Sequence, residues 1–180
     1  MSSATVDGSG AEQLKARLAE EQQAYAGDED RPLASYVATM TIYSAVVAAL
    51  SLVVRRSGTP LPDRVGVGDV ALMSIATHKI SRLLAKEPVT SPLRAPFTRF
   101  KGQSGEAELA EEVRGSGRRH ALGELLTCPF CLGQWTATGL TFGFVLAPRA
   151  TRLFATLFTS LAISDVLQFA YDKVQEEATG

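Results

Sequence analysis

Two long stretches without a charged residue are the feature that most constrains how this 180-residue chain can fold. Residues 33–54 contain no charge between Arg31 and Arg55, and residues 125–147 contain none before Arg149. A helix of 22 residues is ~33 Å long, enough to cross a hydrocarbon core of ~30 Å. The first stretch follows a polar, acidic segment and therefore does not have the arrangement of a signal peptide. Each stretch predicts a transmembrane helix.

Two further segments complete a predicted four-helix membrane domain at 33–171. Residues 153–171 are interrupted only by Asp165, and the helix predicted at 152–171 forms a predicted hairpin with 128–147. Residues 66–84 carry Asp69 and Arg82 near their ends, where charges can reach the interface; an amphipathic helix lying on the membrane surface is the alternative. We therefore predict an all-α integral membrane protein with about four transmembrane helices, as two hairpins joined by a loop at 85–127. An acidic polar tail (1–32) and a short tail (172–180) flank this domain.

Three ionisable residues lie far from the predicted helix ends. If both helices start at the outer face, His78 and Lys79 lie ~20 Å down one helix and Asp165 lies at a similar depth in another. Because ionisable groups in lipid are costly unless paired, we predict a Lys79–Asp165 ion pair, with His78 beside it. Such a pair holds helices together; the alternative is part of an ion or solute path.

The charges are unevenly distributed along the chain. With 18 basic and 19 acidic residues the net charge is −1, which gives no reason to expect nucleic acid as a partner. The central segment is rich in Lys and Arg, so the positive-inside rule places the 85–127 loop in the cytoplasm. The count of basic residues does not decide on which side the N-terminus lies.

The central loop contains prolines and basic residues. Pro88, Pro92 and Pro96 favour an extended path, and residues 105–113 predict a short surface helix. Basic side chains beside a membrane suit anionic headgroups or a protein partner, although they also suit a solvated loop. The candidates for lipid or partner contact are Arg94, Arg99, Lys101, Arg118 and Arg119.

A Cys-Pro-Phe-Cys sequence stands at the start of the third predicted helix. Pro129 fits the first turn, with Thr127 or Cys128 as the cap. A thiol at a helix N-terminus has a lowered pKa, which favours a redox-active pair. A zinc site of Cys128, Cys131 and His120, with His78 as a fourth ligand, is another alternative. The third is a purely structural pair at the interface, for which no cofactor is needed.

Several motifs in order resemble a known family. His78-Lys-Ile-Ser-Arg-Leu-Leu, the Pro-rich arginine segment, Arg114-Gly-Ser-Gly-Arg-Arg and Gly123-Glu-Leu-Leu-Thr-Cys-Pro-Phe-Cys together resemble the bacterial domain-of-unknown-function family thirteen-sixty. That family includes a small sporulation-associated membrane protein. The resemblance implies a multi-pass cell-membrane protein, here with four helices and with the central loop and both termini cytoplasmic. It provides no reaction, substrate or catalytic residue.

The interpretation we favour is a small membrane protein of unknown activity that acts as a structural or interaction component. Its expected partners are membrane lipid and a protein in the membrane or cytoplasm. The alternatives are a membrane-anchored thiol protein using Cys128 and Cys131, redox-active or zinc-binding, and a small conductor of ions or solutes using Lys79 and Asp165.

Overall fold

Helices form most of the structure. The computed structural model describes residues 8–26 and 33–179; those parts of the predicted tails that fall at 1–7, 27–32 and 180 lie outside the described residues. An antiparallel hairpin is formed by β1 (Thr98–Gly105) and β2 (Glu108–Val113), and a 3-10 turn at Pro88–Thr90 precedes the fourth helix. The helices are α1 (Gly8–Ala26), α2 (Leu33–Ser57), α3 (Val67–Lys86), α4 (Ser91–Arg94), α5 (Gly117–Thr127), α6 (Pro129–Leu146) and α7 (Pro148–Thr179).

The central segment, residues 87–127, folds into a small cap, which corrects two of our predictions. The predicted helix at 105–113 is wrong, because this segment forms the turn and the second strand of a hairpin that pairs Thr98 with Val113. Its turn contains Ala107 at φ 56°, a left-handed conformation that breaks a helix. The prolines do not give an extended path either: Pro88 and Pro92 each occupy the first turn of a short helix, where a missing N–H costs nothing.

Helices α3 and α7 run parallel and are joined along their length. Near their starts, Arg152 Nε donates to Asp69 Oδ1 over 2.7 Å, and further along Thr159 Oγ1 donates to the Leu72 carbonyl over 3.0 Å. Helix α6 runs the opposite way, because only Ala147 separates it from α7. Helix α2 packs on α6, where the Tyr43 hydroxyl lies 2.8 Å from Thr138 Oγ1. The starts of α2 and α6 and the end of α3 therefore lie beside the cap.

Two helices among the described residues, α2 and α7, are long and apolar enough to cross a membrane. Their most apolar windows are almost entirely unburied, 0% in α2 and 6% in α7, which distinguishes them from core helices of a soluble domain. The expectation of four such helices is not supported. Helix α3 carries Asp69, Lys79 and Arg82, and α6 has only 18 residues, ~27 Å, with polar side chains such as Gln134.

The bundle core is formed by small and aliphatic side chains at the α3–α6–α7 junction. Ala76, Leu140 and Ala155 are buried there. Of the two α6 glycines Gly139 and Gly143, only Gly143 lies at a close approach: a Cβ there would be 2.9 Å from Thr151 Oγ1, whereas a Cβ on Gly139 would have no atom within 4 Å. Helices α3 and α6 thus occupy the inside of the bundle, and α2 and α7 present its apolar outer surface.

Replacing Gly123 by Ala should destabilise the cap. A Cβ on this α5 residue would lie 2.5 Å from Val113 Cγ1 and 3.1 Å from the Phe97 carbonyl oxygen. We expect overpacking to lower the free energy of unfolding by about 1–3 kcal/mol, measured by thermal unfolding of the purified protein. Gly139→Ala is the matched control, because it gains the same helix propensity without a clash. Equal stability of the two variants would contradict this packing.

Candidate functional site

Among the described residues, Arg94 is the largest fully buried side chain, with 0% of its surface exposed. Its guanidinium forms an ion pair with Glu111, and Nη1 donates to the Leu84 carbonyl and to Thr90 Oγ1, both over 2.7 Å. Nη2 donates to the Glu87 carbonyl over 3.1 Å. These carbonyls are at the C-terminus of α3, where a cation is favoured by unsatisfied acceptors and by the helix dipole. Arg94 therefore binds the end of α3 and is not available for the lipid or partner contact that we predicted.

Glu111 has both carboxylate oxygens engaged in the same network. Its Oε2 accepts from Arg94, and its Oε1 accepts from Thr98 Oγ1 over 3.0 Å. Thr98, itself buried, begins β1, and Glu111 lies in β2. The network thus connects α3, α4 and both strands. The sequence did not identify Glu111 as a buried residue. Glu111 and Glu112 are adjacent glutamates, and the local sequence does not indicate which of the two is buried.

The other four predicted contact residues lie at the surface of the cap. Lys101 Nζ is 2.7 Å from Glu112 Oε2, with both side chains 56% exposed. Arg119 Nε donates to the Pro96 carbonyl over 3.0 Å. Arg99 and Arg118 are exposed. These four residues, unlike Arg94, are on the accessible side, and their contact with lipid or a partner stays a prediction.

Lys79 and Asp165 lie together in a charged cleft between α3, α7 and the tip of the hairpin. Lys79 Nζ is 2.8 Å from Asp165 Oδ2 and also contacts Glu87. The cleft has a volume of about 580 Å³, and its wall includes His78, Arg82 and Glu108, the last two paired by Arg82 Nε donating over 2.9 Å. His78 is exposed at this wall. Because Lys79 is held by a carboxylate on each side, the geometry favours joining α3 to α7 over carrying an ion.

The two thiols are arranged around the start of α6. Cys128 is its N-cap, and its Sγ accepts from the Cys131 backbone N–H over 3.2 Å. The expected lowering of a thiol pKa is wrong for Cys131. Partial burial of this thiol and its hydrogen bond with Cys128 raise its pKa to about 11. A thiol with that pKa is almost entirely protonated at neutral pH, which does not favour a reactive thiolate.

The residues of the predicted zinc site are not gathered into one group. Across 8–26 and 33–179, no three His, Cys, Asp or Glu side chains are arranged to hold a metal ion. His120 instead lies on α5, with Nδ1 3.3 Å from the Gly115 carbonyl and Nε2 3.5 Å from Glu124. His78 lies in the charged cleft with Lys79. The four residues therefore do not fit the predicted tetrahedral site in this arrangement.

The comparisons with known proteins cover the region that holds these networks. The model of a family described as a protein of unknown function (DUF1360) matches residues 72–171, from α3 through the cap to α7. A sporulation protein of Bacillus subtilis (strain 168), YjcA, is 28% identical over 111 residues, which is 60% of this chain and 94% of that protein. No solved structure matches the chain.

Glu111→Gln should destabilise the protein far more than the adjacent Glu112→Gln. The first change leaves the Arg94 charge buried without a counter-charge, which costs about 3–5 kcal/mol; the second removes an exposed pair that water screens, so it should change stability little. Thermal unfolding of both variants measures the difference. The double variant Arg94→Met, Glu111→Leu should be more stable than Glu111→Gln alone. Similar losses for Glu111→Gln and Glu112→Gln would show that the pair is not buried.

Lys79→Met should lower the unfolding temperature, because Glu87 and Asp165 would then face one another without a cation. Adding Glu87→Gln and Asp165→Asn removes that repulsion and should restore most of the loss. The unfolding temperature of each purified variant is the measurement. A triple variant no more stable than Lys79→Met would refute the pairing.

Proposed function

The chain belongs to the DUF1360 family of proteins of unknown function, and we propose that it is an integral membrane protein that acts as a structural or interaction component. Two parts of the molecule carry this proposal. One is the apolar outer surface of α2 and α7, and the other is the polar cap at one end of the bundle.

The exposed apolar side chains of α2 and α7 are the observation on which the membrane assignment rests. In α2, Val37 is 57% and Met40 69% exposed; in α7, Leu153 is 75% and Leu157 56% exposed. Contiguous apolar surface of this extent is unfavourable in water, whereas lipid tails match it. A helix also satisfies its backbone hydrogen bonds internally, as a lipid-exposed segment must.

The length of α7 supports a defined depth in the bilayer. Its 32 residues are ~48 Å long, which exceeds a hydrocarbon core of ~30 Å. The last turns carry Asp172, Lys173, Glu176 and Glu177. These residues would leave the lipid on the side where α3 ends and the cap begins, so α7 would join the lipid layer to the cap.

We propose that the cap and both ends of the chain lie in the cytoplasm. The cap carries Arg99, Lys101 and Arg114 as well as the pair Arg118–Arg119. By the positive-inside rule, short loops that carry many Lys and Arg residues stay on the cytoplasmic side. The cap would then present a surface held rigid by the Arg94 network to a protein partner or to anionic lipid.

The similarity to a Bacillus subtilis sporulation protein suggests where to look for the process. We propose sporulation as the first condition in which to test a deletion strain, if the host organism forms spores.

The observation that supports a structural role is that Lys79 and Arg94 are each paired with carboxylates. These ion pairs connect different helices and strands of the molecule.

A charge introduced on α7 should affect membrane insertion according to its depth. Leu157 lies ~14 Å and Val174 ~39 Å from Pro148 along the helix, and both side chains are well exposed, 56% and 65%. Leu157→Glu should deplete the alkaline-washed membrane fraction, because acidic residues near a bilayer centre cost about 2.5–3.5 kcal/mol. Val174→Glu is the matched control and should leave that fraction unchanged.

Two results would overturn the membrane assignment. One is extraction of the unmodified protein from membranes by alkaline carbonate without detergent. The other is equal membrane abundance of Leu157→Glu and Val174→Glu, since no lipid layer would then distinguish the two positions.

A further inference from the structure

The segment at 88–96 has its polar side chains inside and its apolar side chains outside. Arg94 is fully buried, and Thr90 donates to the Glu87 carbonyl over 3.0 Å. In contrast, Val89 is 74% and Leu93 62% exposed. The prolines between and beside them are exposed as well. Pro88, Val89, Pro92 and Leu93 therefore form an apolar ridge on the outside of the cap.

This polarity is the reverse of what a water-exposed segment favours. In water, an aliphatic side chain is more stable inside and a guanidinium outside. The segment cannot rotate to correct this, because the Arg94 guanidinium is fixed by Glu111 and by the carbonyls that end α3. The buried Arg94–Glu111 ion pair thus keeps Val89 and Leu93 on the outside of the cap. An apolar environment outside the cap accounts for this arrangement.

The position of the ridge indicates which apolar environment this is. It begins at Pro88, two residues after α3 ends at Lys86, and α3 packs along α7, whose outer surface is apolar. The ridge therefore lies at the cap end of α3, at the level where the proposed lipid-facing helix α7 leaves the lipid. Basic groups lie beside it: Arg114 Nη2 donates to the Ala95 carbonyl over 2.8 Å, and Arg119 Nε to that of Pro96. Aliphatic residues flanked by guanidinium groups are typical of an interfacial membrane anchor.

We propose that the apolar ridge inserts into the headgroup region of the bilayer that surrounds this protein, with Arg114 and Arg119 beside the lipid phosphates. This inference rests on the proposed membrane function and adds a second site of lipid contact. The segment at 88–96 would then lie in the headgroup region of the membrane. This differs from the solvated loop that the sequence also allowed for this segment. The outer face of α5 would extend into the cytoplasm, and the tip of the hairpin would lie at the charged cleft beside α7.

Single-tryptophan variants of the full chain test the ridge in membranes. The chain contains one tryptophan, so Trp135→Phe provides a background that keeps an aromatic ring beside Tyr43. Into it we would introduce Leu93→Trp or Val89→Trp, Leu157→Trp as the lipid-facing reference, and Gln103→Trp on the exposed hairpin as the aqueous reference. Each is reconstituted into phosphatidylethanolamine–phosphatidylglycerol vesicles with brominated chains, and quenching is compared with that by aqueous iodide.

We expect the tryptophan at position 93 or 89 to be quenched by brominated lipid, shielded from iodide and blue-shifted in emission, as at position 157. If it matches position 103 while position 157 is lipid-quenched, the ridge proposal fails and the membrane assignment stands. If position 157 is not lipid-quenched, the membrane assignment itself fails. Shielding from both quenchers would mean that protein covers the ridge, which also overturns the proposal.

A second labelling scheme covers the case in which the Trp135→Phe background does not fold. Leu93→Cys and Gln103→Cys would carry an environment-sensitive fluorophore in a chain with Cys128→Ser and Cys131→Ser. Doxyl-labelled phospholipids should quench the label at position 93 and leave that at 103 unchanged. Equal responses at the two positions would refute lipid insertion of the ridge.

Discussion

The buried ion pair between Arg94 and Glu111 is the interaction on which the cap depends. Neither charge could remain in the interior alone, since desolvating an unpaired ion costs several kcal/mol. Together with the carbonyls of Leu84 and Glu87 they satisfy one another. The pair therefore specifies the geometry as well as stabilising it: the hairpin has to lie where Glu111 reaches the end of α3. The outward position of Val89 and Leu93 follows from the same constraint.

Helix α3 links this cap to the rest of the bundle through a series of polar contacts on α7. Arg152 holds Asp69 near one end of the pair, and Lys79 holds Asp165 nearer the cap. Because both contacts are charge-assisted and directional, they fix the axial register of the two helices, which small apolar residues such as Ala76 and Ala155 would leave free to slide. The polar residues that lower the hydropathy of α3 are thus the ones that determine how it packs.

Much of the helical framework could be predicted from the sequence, and the cap could not. The proximity of Lys79 and Asp165 follows from helix rise, because two positions at equal depth in parallel helices meet. Membership of the family followed from ordered motifs. In contrast, the hairpin depends on pairing between segments whose local composition favours neither strand nor helix, and the burial of Arg94 depends on a carboxylate 17 residues later. The thiol pKa depends on desolvation by neighbours that the spacing of Cys128 and Cys131 does not reveal.

The ion pair between α3 and α7 also affects the order in which the chain can fold during its synthesis. Lys79 has one counter-charge, Glu87, made eight residues later, and another, Asp165, made 86 residues later. While the cap and α6 are being synthesised, α3 has only the nearer carboxylate and a vacant side where α7 will pack. The nascent helix is therefore stabilised in two steps, and its final position is reached only when the last helix emerges. A chain truncated before α7 would be left as an incomplete intermediate in which Lys79 lacks its counter-charge Asp165.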